Sequence, residues 1–240
     1  MLEPSIDHVL VPITAVAGFI RGFAGFGGPL VLLPALSVCL TPAASVAAVM
    51  WIDLLANVLL LPQVRRDAQR AVVGPLMVGT LATMPVGVLL LVAADPAFMK
   101  RGISATILGA ALVLLSGWRY RGAIGPIGWA GVGALTGIVM GATSIAVTAA
   151  LFLHADSQTA KESRANFIVW VFTATLALLA MLAVGAGIAE GPARVIGVLA
   201  SVYLVGTLLG TRLNKRAPEA VVRRTVLLLV VAIAAAGLLD

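Results

Sequence analysis

From Val9 to Leu239 the chain is a succession of apolar segments, and the longest polar linker between them is about a dozen residues. The segments are Val9–Ile20, Leu30–Leu40, Ala43–Leu61, Ala71–Ala93, Gly102–Trp118, Gly128–Met140, Ile145–Leu153, Ala165–Gly187, Val195–Thr211 and Thr225–Leu239. A spanning helix needs about 20 mostly apolar residues, so the six longest read as spans and the other four as too short to cross alone. Composition agrees: 61% of residues are apolar and 11% charged. Soluble domains average about 45–50% apolar and about 25% charged, so a water-soluble fold would lack the polar surface to cover itself. The reading is an all-α polytopic membrane protein, with the lipid bilayer as its solvent.

The short segments form two adjacent pairs, one opening each half of the chain. The first pair is split by Gly22-Phe23-Ala24-Gly25-Phe26-Gly27-Gly28-Pro29, in which four of eight residues are glycine. Gly and Pro are the poorest interior helix residues, which predicts a broken helix over Gly22–Pro29. The second pair is split by Gly141-Ala142-Thr143-Ser144. An offset of 115 lays Gly18 on Gly133, Gly22 on Gly137 and Leu36 on Leu151. Further on, Pro96 with Lys100 and Arg101 matches Pro218 with Arg223 and Arg224. The expectation is a first repeat over 1–121 and a second over 122–240, together one membrane domain. Interrupted segments at matching places in two halves are the sequence mark of a transporter binding site.

Basic residues orient the spans. If each short pair is a single broken span, the loop charges divide nine to six between the two faces. If each is a re-entrant hairpin, Arg65, Arg66, Arg70, Arg119, Arg121, Lys161, Arg164, Arg212, Lys215, Arg216, Arg223 and Arg224 share one face, leaving Lys100, Arg101 and Arg194 on the other. The positive-inside rule favours the second arrangement. Each half is then a hairpin plus three transmembrane helices, an odd number of crossings. The repeats are inverted, both termini lie outside the inner membrane, and the two hairpin tips meet near the midplane. The same loops account for the net charge of +6, and no basic stripe interleaved with aromatics points to nucleic acid.

Arg21 follows a run of apolar and small residues and stands at the edge of the first break. An ionisable group in hydrocarbon faces a cavity or a partner, which makes Arg21 a candidate counter-charge for an anionic substrate. Gly25, Phe26, Gly27 and Gly28 would bring backbone N–H groups of a half-helix start to the same place. Thr143 and Ser144 would add hydroxyls at the second break. Asp53 lies mid-span, either as a proton carrier or as the counter-charge of Arg21. Asn57 follows it by four residues on the same helix face. Asn166 and Trp170 share a face at the head of the equivalent later span, while Trp118 and Trp129 read as interfacial anchors. Arg164, where that span begins, serves as an entry residue or a topology signal. Cys39 is the single cysteine, which excludes an internal disulfide, and Met1–His8 lacks the basic start of a cleaved signal peptide. His8 and His154 are isolated, so no metal or other cofactor is expected. Neither a P-loop nor a GxSxG or HExxH motif is present, which argues against an enzyme.

Gly18-Phe19-Ile20-Arg21-Gly22-Phe23-Ala24-Gly25-Phe26-Gly27-Gly28-Pro29, followed by Pro34-Ala35-Leu36 and Pro42, resembles the opening signature of the sulfite exporter TauE/SafE family, also called the toluene sulfonate uptake permeases. Size, segment order and twofold repeat extend the resemblance over nearly the whole chain. Pro29 stands where the family often has a third glycine, and Gly141-Ala142-Thr143-Ser144 where it often has another glycine run. The resemblance implies an inner-membrane transporter of small sulfur-containing anions such as sulfite, sulfonates or sulfoacetate. The residues and the resemblance together describe a secondary transporter working by alternating access. A proton, through Asp53, or the membrane potential would drive it. A passive anion channel and a non-transporting scaffold are the alternatives, and self-association is left open.

Overall fold

Proline stands in the first turn of several of the described helices, where its missing N–H and fixed φ do no harm. The computed structural model describes residues 4–116, 122, 124–153, 159–185 and 193–214. Among them the elements are α1 (Pro4–Ala24), α2 (Gly28–Ser37), α3 (Pro42–Val64), α4 (Arg70–Ala93), α5 (Pro96–Leu115), α6 (Pro126–Thr143), α7 (Val147–Leu153), α8 (Ala160–Gly185) and α9 (Ala193–Asn214). The expected span Thr225–Leu239, the repeat match at Pro218, Trp118, and the loop charges Arg119, Arg121, Lys215, Arg216, Arg223 and Arg224 lie outside the described residues. Side-chain caps mark three of the described starts, the first at α3, where Ala44 N–H donates to Thr41 Oγ1 at 3.3 Å. Asp95 Oδ1 accepts from the N–H groups of Ala97 (2.9 Å) and Phe98 (3.1 Å) ahead of α5. Thr159 and Glu162 form a reciprocal capping box at α8, with Thr159 N–H donating to Glu162 Oε2 at 2.9 Å and Glu162 N–H to Thr159 Oγ1 at 3.3 Å.

Among the described residues five helical stretches are long and apolar enough to cross a membrane: Pro42–Val64, Arg70–Ala93, Pro126–Thr143, Lys161–Val184 and Ile196–Leu213. Large apolar side chains stand outward on them, among them Val78 at 68% and Val184 at 90% exposure. Such a surface is tolerable in hydrocarbon and a liability in water. The expected span Gly102–Trp118 is not among the five; the helix there is α5, Pro96–Leu115, which carries Lys100 and Arg101 in its first half. Gly128–Met140 reads as too short to span, yet α6 runs 18 residues and is one of the five. Pro126 at its first turn starts the helix earlier, and its glycines continue rather than interrupt it. Helix α1 runs 21 residues, but its apolar stretch, Val9–Phe23, is short and is not among the five, as the sequence leads one to expect. The second arms are short, 10 residues in α2 and 7 in α7.

The chain forms two compact units, each drawing on both halves of the sequence. One holds 1–56, 95–115 and 189–240; the other 57–94 and 116–188. In the first, α1 packs along α9, and α2 packs on α1 and α5. Glycines let α1 and α9 approach until backbones touch. A Cβ on Gly18 would stand 2.2 Å from Tyr203 O, one on Gly22 2.0 Å from Thr207 O, and one on Gly210 2.1 Å from Phe19 O. In the second unit α4 packs along α6 and on α8, with α7 against both α6 and α8. A Cβ on Gly133 would stand 2.1 Å from Leu76 O, one on Gly137 2.4 Å from Thr80 O, and one on Gly79 2.0 Å from Ala130 O. Lipid supplies no hydrophobic drive between helices, so close backbone packing through small residues holds such pairs. The glycines that the offset of 115 superposes, Gly18 with Gly133 and Gly22 with Gly137, thus do the same work in separate units.

Candidate functional site

The first break is narrower than its composition suggests. Helix α1 runs through Gly22 to Ala24, and α2 begins at Gly28. Only Gly25 (φ 82°) and Gly27 (φ 94°) take the left-handed backbone that reverses the chain. Gly22 stays helical because its missing side chain is what admits Thr207 of α9. Residues Gly25 and Gly28 are buried, while Phe26 and Gly27 are half-buried.

Arg21 sits in the last turn of α1, 1% exposed, and Asp53 on α3, 2% exposed. The guanidinium Nε donates to Asp53 Oδ1 at 2.8 Å. Its Nη1 donates to the carbonyl of Gly25, tying the charge to the break itself. Of the sequence's two readings of Asp53, the counter-charge is therefore what the geometry displays. Arg21 and Asp53 are the two charged residues buried among the described ones, so the site is electrically balanced. Removing two charges from water is unfavourable by several kcal/mol per ion unless they are paired and hydrogen-bonded, as these are.

Tyr203, on α9, is not among the residues the sequence singles out, and it completes the cluster. Its hydroxyl donates to the same Asp53 Oδ1 at 2.7 Å, and the residue is 1% exposed. A Cβ on Gly28 would lie 1.9 Å from the phenolic oxygen, so Gly28 is the clearance through which the phenol reaches the carboxylate. The available signal was that one of the chain's two tyrosines falls in the middle of an apolar span, Ile196–Leu213. A buried Tyr hydroxyl requires a hydrogen-bond partner.

The second break lies in the other unit. Helix α6 continues through Gly141 to Thr143, so the interruption is Ser144–Ala146 rather than Gly141–Ser144. Here Gly141 packs against α4, its Cβ position 2.5 Å from Met84 O. Ser144 carries φ 60°, the one left-handed non-glycine residue among those described. That conformation costs a side-chain-bearing residue about 1–2 kcal/mol. Its Oγ is buried with no hydrogen-bond partner. Thr143 Oγ1 donates to Val139 O at 2.7 Å and accepts from Ile145 N–H at 3.3 Å, bridging the turn.

The remaining candidates also lie in this second unit. Asn57 is fully buried on α3. Asn166 Oδ1 accepts from the backbone N–H of Gln69 at 2.6 Å, and Gln69 Nε2 donates to Glu162 Oε1 at 2.9 Å. Asn166 therefore anchors the residue that caps α4. Trp170 is fully buried, its Nε1 donating to Thr80 Oγ1 at 3.1 Å. Trp129, read as an interfacial anchor, is instead 2% exposed. It shares with Gly133 and Gly137 the face of α6 that meets α4. Among the described residues no three of His, Cys, Asp and Glu gather to hold a metal ion.

The family described as Sulfite exporter TauE/SafE matches the chain over residues 10–237. Neither the curated proteins nor the solved structures show a match.

Proposed function

This chain belongs to the sulfite exporter TauE/SafE family, a family of membrane transporters rather than enzymes, and from that premise we propose that it is a secondary carrier of small sulfur-containing anions such as sulfite or a sulfonate. The observation that carries the reading is the buried Arg21–Asp53 pair tied to the break at Gly25. A guanidinium held in a dry, apolar surrounding binds an oxyanion through charge-assisted, forked hydrogen bonds. Its resting partner is a carboxylate, so an arriving oxyanion takes the place of another anionic oxygen acceptor. The pair is neutral, and a monovalent anion entering it would leave a buried charge of minus one. Protonation of Asp53 restores neutrality, which couples anion and proton movement in the same direction. Gly25–Gly28 contribute backbone to the same place. Thr143 and Ser144 are the contact residues we assign at the second break, where a buried hydroxyl has no protein partner.

The fold we infer is two inverted repeats working by alternating access. It is supported by the charge distribution and by the recurrence of one glycine-packed pair in each unit, α1 with α9 and α4 with α6. Inverted repeats put both termini outside the cytosol. A reporter fused after Asp240 is expected to be inactive if it requires the cytosol, and a cytosolic signal would overturn the arrangement.

Transport is tested with the full-length protein in proteoliposomes, against a panel of sulfite, thiosulfate and organosulfonates, with and without a pH gradient. The expected result is saturable uptake with counterflow, faster when the outside is acid. Flux that neither saturates nor shows counterflow would mark a channel. Absence of flux for every anion under either gradient would sink the reading.

A further inference from the structure

The inference concerns Tyr203 and rests on the reading of Arg21 as the anion's counter-charge. Two donors from different helices converge on one oxygen of Asp53. Arg21 Nε comes from α1 at 2.8 Å, and the Tyr203 hydroxyl comes from α9 at 2.7 Å. The fold makes room for the second donor at a specific place, because any side chain at residue 28 would collide with the phenolic oxygen. A residue that only filled space between α9 and the break would need neither the hydroxyl nor that clearance. The next residue along the α9 seam shows the contrast: Thr207 turns its hydroxyl to its own helix, donating to Tyr203 O at 2.8 Å. Tyr203 instead sends its donor across to α3.

We propose that Tyr203 is a positioning residue for anion binding: it keeps Asp53 hydrogen-bonded while the Arg21 guanidinium turns from the carboxylate to the incoming anion. The physical reason is that a buried carboxylate deprived of a donor is strongly unfavourable. With the phenol in place, Oδ1 keeps a hydrogen-bond donor when Arg21 turns away. Without the hydroxyl, Arg21 is held more firmly to Asp53, and the anion must compete against the whole pair. Gly28 belongs to the same device, since a methyl there displaces the phenol.

The test compares wild type, Tyr203→Phe, Gly28→Ala and the double variant in proteoliposomes, using the panel anion that wild type carries fastest. Elution profile and thermal unfolding are recorded for each protein. Tyr203→Phe is expected to raise KM roughly tenfold, the loss of one hydrogen bond to a charged group, with Vmax within about twofold of wild type. Gly28→Ala is expected to act in the same direction, and the double variant to be no worse than Gly28→Ala alone, because both remove one contact. If Gly28→Ala does not fold, Tyr203→Phe alone decides. An unchanged KM in Tyr203→Phe, while Arg21→Met abolishes uptake, overturns the role of Tyr203 and leaves the anion site standing. A fall in Vmax at unchanged KM also overturns it. Wild-type transport by Arg21→Met removes the anion site itself, and the role of Tyr203 with it.

Discussion

Arg21→Met abolishes anion uptake and destabilises the protein by about 3–5 kcal/mol, because it leaves the Asp53 carboxylate buried without its counter-charge. Adding Asp53→Leu to the same molecule restores most of the stability and none of the transport. The physics of the two properties differs. Stability depends on whether a buried charge is compensated, and two apolar residues of similar volume replace an ion pair at little cost or even with a gain. Anion binding depends on the guanidinium being present at all. The single and double variants are therefore strongly non-additive in stability, as contacting charged partners are, and identical in uptake. Thermal unfolding in detergent gives the first quantity and proteoliposome flux the second. A double variant that transports like wild type would reduce the pair to a structural bridge. Asp53 sits 2.8 Å from Arg21 and both are almost fully buried, so neither effect is softened by solvent.

The second large effect concerns the glycine seams. Gly22→Ala and Gly137→Ala each place a methyl into the backbone of a neighbouring helix, 2.0 Å from Thr207 O and 2.4 Å from Thr80 O. A backbone carbonyl cannot swing aside as a side-chain end can, so the helices must separate along their length. Overpacking of this kind destabilises by about 1–3 kcal/mol and occasionally more. Gly109 of α5 offers the control, for a Cβ there meets nothing within 4 Å. Replacing it by Ala removes only the helix penalty of glycine, and Gly109→Ala is expected to raise stability by up to about 1 kcal/mol. The same substitution thus acts with opposite sign at the two kinds of position. Unfolding temperatures measured side by side check it; a Gly22→Ala protein as stable as wild type would mean that α1 and α9 do not pack as closely as described.

Arg21 and Asp53 were legible as buried functional candidates because an ionisable group in an apolar run is conspicuous. Their mutual bond is one of two readings the sequence allows, since 32 residues of chain separate them and no local pattern pairs them. Tyr203 was invisible for a related reason. Tyr passes in an apolar span as an amphipathic filler, and its partner is 150 residues away. The breaks are shorter than the glycine content of Gly22–Pro29 and Gly141–Ser144 suggests, at Gly22 and at Gly141. In both places the helix continues, because the penalty of a glycine, about 1 kcal/mol, is outweighed by the close packing it permits. Asn166 reads from the sequence as a site residue at the head of a span, and in the structure its side-chain oxygen accepts from the backbone N–H of Gln69.

What the sequence determined by itself is the solvent and the places where the chain must depart from it. Lipid tolerates neither unpaired charge nor unpaired backbone, so apolar run length, Arg21, Asp53 and a break somewhere within Gly22–Pro29 announce themselves locally. Only the tertiary structure decided which helices pair, and hence which of the glycines are seams and which are turns. Those choices are made by surfaces meeting across more than a hundred residues of chain, Gly22 on Thr207 and Gly28 on Tyr203, where nothing in the neighbouring sequence records the partner.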